Sequence, residues 1–495
     1  MRRLVFALSL IFSTLLPVAM QAGTQLQPVL FQPTVSDYAF ITASTTPPTE
    51  AQCFTVRRRC FTPQATQAAY NVGSLYSSGI NGAGITIAII DSYGSDTIAH
   101  DLHVFDQAFG LQPMCGEEGV TCTSDMPTFS VLQVQGSPAT KAPPSKSKGT
   151  KQEDKSAWAL EVSLDVETAH AMAPGANILL VTTPTAETLG VQGFPNMMNA
   201  EQYVIDHHLA QVISQSFGSA EDAFGSAESL QNLRHAFISA SQNGVTVLAS
   251  SGDGGSANTA KQPVGQDGSL IPYPTVGWPA SDPLVTGIGG TYLCTDPTNT
   301  SSRSVDSVDP PAGCQNHPGQ AEVGWIASGG GYSDVFSKPS YQDTLPAGST
   351  SIGSMRGVPD VALQASATTG ALVYLTLPPD GQSGLICTDG NPCSTGWYDI
   401  GGTSLSCPQW AGLVALADQF NGGGLGLINP GLYKIGADAT RYANDFYDVT
   451  TGNNGLDAPD VPGYPATIGW DPVTGLGTPN AANLVPDLVA AVNGH

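Results

Sequence analysis

The sequence predicts an α/β fold with a mostly parallel central sheet and helices on both faces. Short runs that are apolar at every position recur along the chain, as strands covered on both sides require. Helix-length patterns separate these runs, so successive strands are joined by crossovers and run parallel. No internal repeat is evident. One α/β domain is therefore expected from about residue 69 to the end of the 495-residue chain.

The first element in order is not part of that domain. Arg2 and Arg3 precede an apolar stretch from Leu4 to Met20, followed by the small residues Ala22 and Gly23. This pattern predicts a secretory signal over residues 1–22. Residues 23–68 carry many Thr, Pro and Gln with no strong period and read as an N-terminal arm or shortened pro-segment. Within it, Arg57-Arg58-Arg59 reads as a solvated basic turn, with a processing site as the alternative. Strands are expected at Ile85 to Ile90, Ile178 to Val181, Val212 to Ile213 and Val245 to Ala249. Later runs at Leu284 to Ile288 and Leu372 to Leu375 are expected to join the same sheet. Helices are expected at Trp158 to Met172, Met197 to His208 and Ala227 to Asn243.

The formal charge is −24, with few charged residues in all, which argues against a nucleic-acid partner because that needs a basic face. Few basic groups also limit positive self-repulsion when carboxylates protonate. Five lysines (Lys141, Lys146, Lys148, Lys151 and Lys155) share one segment with Pro, Ser and Gly, which reads as a surface loop. After the leader no stretch is long and apolar enough to span a bilayer. The expected location is therefore extracellular or periplasmic, and the expected state is a monomer. Eight of the nine cysteines form sequence-local couples: Cys53/Cys60, Cys115/Cys122, Cys294/Cys314 and Cys387/Cys393. In an exported chain these read as disulfides. Cys407 is left over and is expected to be a buried thiol.

Three segments carry chemistry. Gly401-Gly402-Thr403-Ser404 is a glycine turn feeding an apolar run, which holds a serine hydroxyl at a helix start. Free backbone N–H groups there can receive a developing negative charge. A serine needs a base, however. Glu161 and Asp165 lie four apart on a helix, hence on one face, and two such carboxylates would share a proton if buried. Asp253, in Ser251-Gly252-Asp253-Gly254-Gly255, follows the fourth strand at its carboxyl end, where sites of parallel sheets form. Taken singly, each has an ordinary structural explanation: solvated acids on an amphipathic helix, or an aspartate among glycines shaping a turn.

Together they resemble the sedolisins, the serine-carboxyl peptidases, which have a subtilisin-like fold. The Gly-Thr-Ser-x-Ser-x-Pro pattern stands at Gly402, Thr403, Ser404, Ser406 and Pro408. Glu-x-x-x-Asp stands at Glu161 and Asp165, followed by Ala171-Met172-Ala173-Pro174-Gly175-Ala176, and Ser-Gly-Asp ends at Asp253. Ile90-Asp91-Ser92, Ser216-Phe217-Gly218 and Arg356-Gly357-Val358-Pro359-Asp360 are also family-like, and the matches run in family order over about residues 69–490. The resemblance implies that Ser404 is the nucleophile and Glu161 its general base. It implies that Asp165 orients Glu161 and that Asp253 binds the oxyanion. It also implies one structural Ca²⁺ held by the carboxylates of Asp448 and Asp471 and the carbonyls of Val449, Thr467 and Gly469. Hard oxygen donors of this kind suit calcium. Thr467 stands where many relatives have glycine.

The implied activity is a secreted, acid-active endopeptidase acting on protein or peptide substrates. Tripeptidyl-peptidase action stays open, as do side-chain preferences. Relatives usually carry a folded pro-domain, so activation by residues 23–68 is not assumed. A histidine-based subtilisin is the first competing reading, but no histidine has the expected His-Gly-Thr context; His170 and Asp91 read as structural. The second is an inactive, calcium-stabilised secreted binding protein of the same fold.

Overall fold

A computed structural model describes residues 32–33, 37–134, 150–184, 193–260, 269–306, 312–377, 393–456 and 461–494. The expected signal over residues 1–22 lies outside them, as do Cys387, Lys141, Lys146 and Lys148.

The central sheet has eight strands: β1 (Thr86–Ser92), β2 (Phe129–Gln133), β3 (Asn177–Thr183), β4 (Val212–Gln215), β5 (Thr246–Ser250), β6 (Thr286–Leu293), β7 (Glu322–Gly324) and β8 (Val361–Gln364). Their order is β7-β6-β5-β4-β1-β3-β2, and β8 also pairs with β6. Every pairing is parallel except β6 with β7. The expected mostly parallel sheet is present. The helices that matter are α1 (Ile98–Phe109), α2 (Thr150–Met172), α3 (Phe194–Asp206), α4 (Ala227–Gln231), α5 (His235–Asn243) and α6 (Thr403–Asn421).

Alternation along β1 assigns the two faces. Ile87 and Ile89 join the cluster formed with Val162, Val166, Trp410 and Val414 of α2 and α6. Ala88 and Ile90 join Met197, Val204, Phe237 and Ala240 of α3 and α5. Burying both faces explains why β1 is apolar at consecutive positions.

Four expectations need correction. The run Leu372 to Leu375 forms a strand, Ala371–Leu375, but outside the central sheet. It pairs with Gly396–Ile400, which pairs in turn with Tyr38–Thr42 of the N-terminal arm. An apolar run specifies a buried strand without specifying its neighbour. The helix expected over Ala227 to Asn243 is broken into α4 and α5, and its C-terminus at Asn243 is closed by Gly244 at φ +69°. Lys151 and Lys155 lie within α2 rather than in a loop. The arginine triplet is solvated only at Arg57: Arg58 bonds Asp37 through two contacts of 2.9 Å, and Arg59 is paired with Glu50 and Asp306.

Disulfides join Cys53 to Cys60, Cys115 to Cys122 and Cys294 to Cys314, as expected, and Cys393 is disulfide-bonded. Cys407 is a buried free thiol. Among the described residues no helix is long and apolar enough to cross a membrane.

Candidate active site

Ser404 sits at the second position of α6 because the turn before it is specialised for close approach. Gly402 caps the helix at φ +114°, a conformation that strains any side chain. A Cβ on Gly401 would run into the backbone of Ala365 and Ala367. The strand Gly396–Ile400 delivers this turn, and the Gly401 N–H donates to the Asp37 carbonyl at 3.2 Å.

Asp253 is tied to the same turn. Its Oδ1 accepts the Thr403 N–H at 2.7 Å and the Thr403 hydroxyl at 2.9 Å. The Gly252 N–H donates to Thr403 Oγ1 at 3.0 Å. The loop after β5 and the start of α6 thus form one hydrogen-bonded unit, with Asp253 one residue from Ser404.

The acids on α2 are brought alongside by helix packing. Leu405 shares a cluster with Leu160 and Leu164, while Gly412 lies against Ala169 and Met172. The two helices therefore run side by side in the same direction, which sets Ser404 level with Glu161. Gly412 makes the approach possible, since its Cβ would stand 2.6 Å from that of Met172. Cys407, one turn beyond Ser404, faces Asp165 and Glu161; burial, with the two acids adding to it, pushes its thiol up to about 12.

Glu161, Asp165 and Ser404 are fully buried. Burial holds the carboxyl of Asp165 well above the ordinary range, and the nearby Asp91 and Glu161 push it the same way. The Ser216 hydroxyl donates to Asp165 Oδ1 at 3.0 Å and opposes that shift. Asp91, at the carboxyl end of β1, is pushed up to about 8 by burial, and its oxygens have no hydrogen-bond partner among the described residues. The cluster around Asp165 thus holds a third carboxyl beside the expected Glu161 and Asp165, that of Asp91. Its position at a strand's carboxyl end was the available signal. Ser216 was likewise missed; it stood inside a family-like stretch but carried no feature of its own.

His170 lies at the other end of α2. Its Nε2 faces Asp106 Oδ2 at 3.1 Å, a buried structural pair on α1. The histidine on the acid helix therefore serves a different contact.

The tail loop gathers the other acids. The Gly469 N–H donates to both oxygens of Asp448, at 3.1 and 3.0 Å, and the Thr467 N–H to Asp471 Oδ2 at 2.8 Å. Both carboxyls face the Tyr442 hydroxyl. Burial pushes Asp471 up to about 7 and raises Asp448. Asp471 is buried and Asp448 lies at the exposed edge of the loop, and two carboxyls with no salt-bridged cation among the described residues fit a hard cation. Among the described residues no cluster of three or more His, Cys, Asp or Glu could hold a metal. A cation here would need backbone oxygens, such as those of Val449, Thr467 and Gly469, to complete its shell.

Residues 149–427, over half of the chain, match the subtilase family model. The chain is also 34% identical over 336 residues to kumamolisin of Bacillus sp. (strain MN-32). It belongs to the subtilase family, in the sedolisin branch. The kumamolisin match covers 67% of this chain and 51% of that protein. Sedolisin of Pseudomonas sp. (strain 101) is 29% identical over 410 residues, covering 82% of this chain and 58% of that protein. The chain thus spans little more than half the length of these curated relatives. Among solved structures, Pseudomonas sedolisin, a serine-carboxyl proteinase complexed with two molecules of pseudo-iodotyrostatin, superposes with a TM-score of 0.61 at 28% identity. That match covers 86% of this chain and 97% of the other. The subtilisin-like α/β fold of this sedolisin-branch chain follows from that likeness.

Proposed function

We propose that this chain hydrolyses peptide bonds in acid through an acyl-enzyme on Ser404. The observation that carries the reading is the side-by-side register of α2 and α6, which sets Ser404 level with Glu161 inside a cluster of buried carboxyls. Glu161 takes the Oγ proton as Oγ attacks the scissile carbonyl. It returns that proton to the leaving amine when the C–N bond breaks. Water then repeats the sequence to release the acid. Asp165 orients Glu161. Asp253, fixed by Thr403, donates to the oxyanion while it carries a proton. Carboxyl groups suit acid conditions, where an imidazole base is already protonated.

An extended peptide would dock on strand Phe217–Ala220, which leads directly away from Ser216. Gln32–Pro33 of the chain's own arm already pairs there in antiparallel register, and a substrate would replace it. A structural Ca²⁺ at Asp448 and Asp471, completed by the carbonyls of Val449, Thr467 and Gly469, would lock the tail loop. Export agrees with the disulfides found among the described residues and the leader-like N-terminus.

The test is a casein digest at pH ~4 and pH ~8, which separates a carboxylate base from an imidazole. Digestion confined to acid and abolished in Ser404→Ala is expected. No digestion at either pH by folded, calcium-loaded protein would overturn the reading in favour of a binding role.

A further inference from the structure

Ser216 occupies a joint. It is the single residue between β4, inside the central sheet, and strand Phe217–Ala220, which belongs to a separate three-stranded sheet. Both flanking segments are held by backbone pairing, through β1 and β5 on one side and Gly277–Trp278 on the other. The residue is fully buried, so its hydroxyl is aimed by the backbone rather than by solvent.

That hydroxyl reaches one oxygen of Asp165 and not the other. Oδ1 accepts from Ser216 at 3.0 Å, while Oδ2 is buried with no hydrogen-bond partner among the described residues. The titratable groups facing Asp165 are Asp91 from the sheet, Glu161 from α2 and Cys407 from α6. None of them is a cation. In such a setting the cluster must hold protons, and a neutral carboxyl carries its proton on one oxygen only. An oxygen already accepting a hydroxyl hydrogen is the poorer place for it.

We propose that Ser216 is a positioning residue that seats the proton of neutral Asp165 on Oδ2, where it serves the neighbouring carboxyls. With Oδ2–H available as a donor, Glu161 can stay ionised beside Ser404 and accept its proton. Without the hydroxyl, the two oxygens of Asp165 become equivalent and the proton is shared between them. The inference rests on the peptidase reading for its kinetic consequence but not for its structural one.

The experiment uses the full chain with Ser216→Ala and Ser216→Thr. On a quenched fluorescent peptide, Ser216→Ala should lower kcat on the order of 10- to 100-fold with KM little changed. Its alkaline limb should move to higher pH, because a donor that favours ionised Asp165 has been removed. Ser216→Thr should restore both. A merely structural serine would lower Tm and leave the pH limb in place, which would overturn the proposal. A second readout needs no turnover: the carboxylic C=O stretch lost in Asp165→Asn, followed by infrared difference spectroscopy. It should shift to higher frequency in Ser216→Ala, and an unshifted band would also overturn the proposal. If the wild-type chain cleaves nothing, the peptidase reading fails and the infrared band alone decides on Ser216.

Discussion

Asp360 and Asp165 are both fully buried, yet their surroundings differ in kind. Asp360 accepts two bonds from the Arg356 guanidinium, at 2.9 and 2.6 Å, one from the Gly287 N–H at 2.8 Å and one from the Tyr433 hydroxyl at 2.9 Å. Asp165 receives a single hydroxyl and faces two other carboxyls. One region is built to hold a charge, the other to hold a proton. A buried ion pair is demanding only when a partner is removed, whereas an acid without a counter-cation stays neutral until pH forces it to ionise. The knot around Asp360 thus acts as structure, and the cluster on α2 has protons to exchange.

The sharpest way to break this contrast is to neutralise one member of each region. Glu161→Gln keeps shape but cannot take a proton, so peptide cleavage at pH ~4 should fall by about 10³-fold or more while the thermal melt stays near wild type. Near-normal turnover would remove Glu161 as base. Arg356→Met should do the reverse. It strands the Asp360 carboxylate and should cost about 3–5 kcal/mol of stability near neutral pH, read by urea unfolding. No measurable loss would show that the guanidinium does not hold the knot.

Asp418 provides a smaller and cleaner test away from the site. Burial pushes its carboxyl up to about 8, against the Leu425 N–H bond that lowers it. A raised folded-state value means that the folded chain binds the extra proton. The stabilisation is therefore complete below the ordinary carboxylate value of about 4 and is lost as pH rises towards about 8. Asp418→Asn should match wild type near pH ~4 and gain on it steadily up to pH ~8, in melting temperature measured across that range. Parallel curves would mean that Asp418 does not titrate in the window. Smallest of all, chelating calcium should lower Tm by a few degrees, since a cation bound only to the folded state stabilises it by linkage. Asp471→Asn should remove that response. An unchanged melt on chelation would count against a cation at Asp448 and Asp471.

Much of the architecture was legible because strand and helix periods are local. The run Ile85 to Ile90 announces a strand covered on both faces, and β1 is found there with its two faces in two different cores. The spacing of Glu161 and Asp165 placed both on one helical face, and both are buried. The Gly401-Gly402 turn placed Ser404 at a helix start, and α6 begins one residue before it. What escaped depended on partners far along the chain. Arg59 looked solvated, but Asp306, hundreds of positions away, pairs with it. Ser216 and Asp91 are ordinary residue types at ordinary positions. Only the packing of β1, α2 and the joint after β4 turns them into neighbours of Asp165.

The sequence by itself determined the layered α/β plan, the strand and helix order, and the identity of the serine and acids offered for chemistry. These follow from side-chain periodicity and short-range turn geometry, which act over a few residues. The tertiary structure decided which carboxyls meet a guanidinium and which are left with each other. Desolvation and charge pairing depend on distance in space, so protonation is settled only when segments remote in the chain close together.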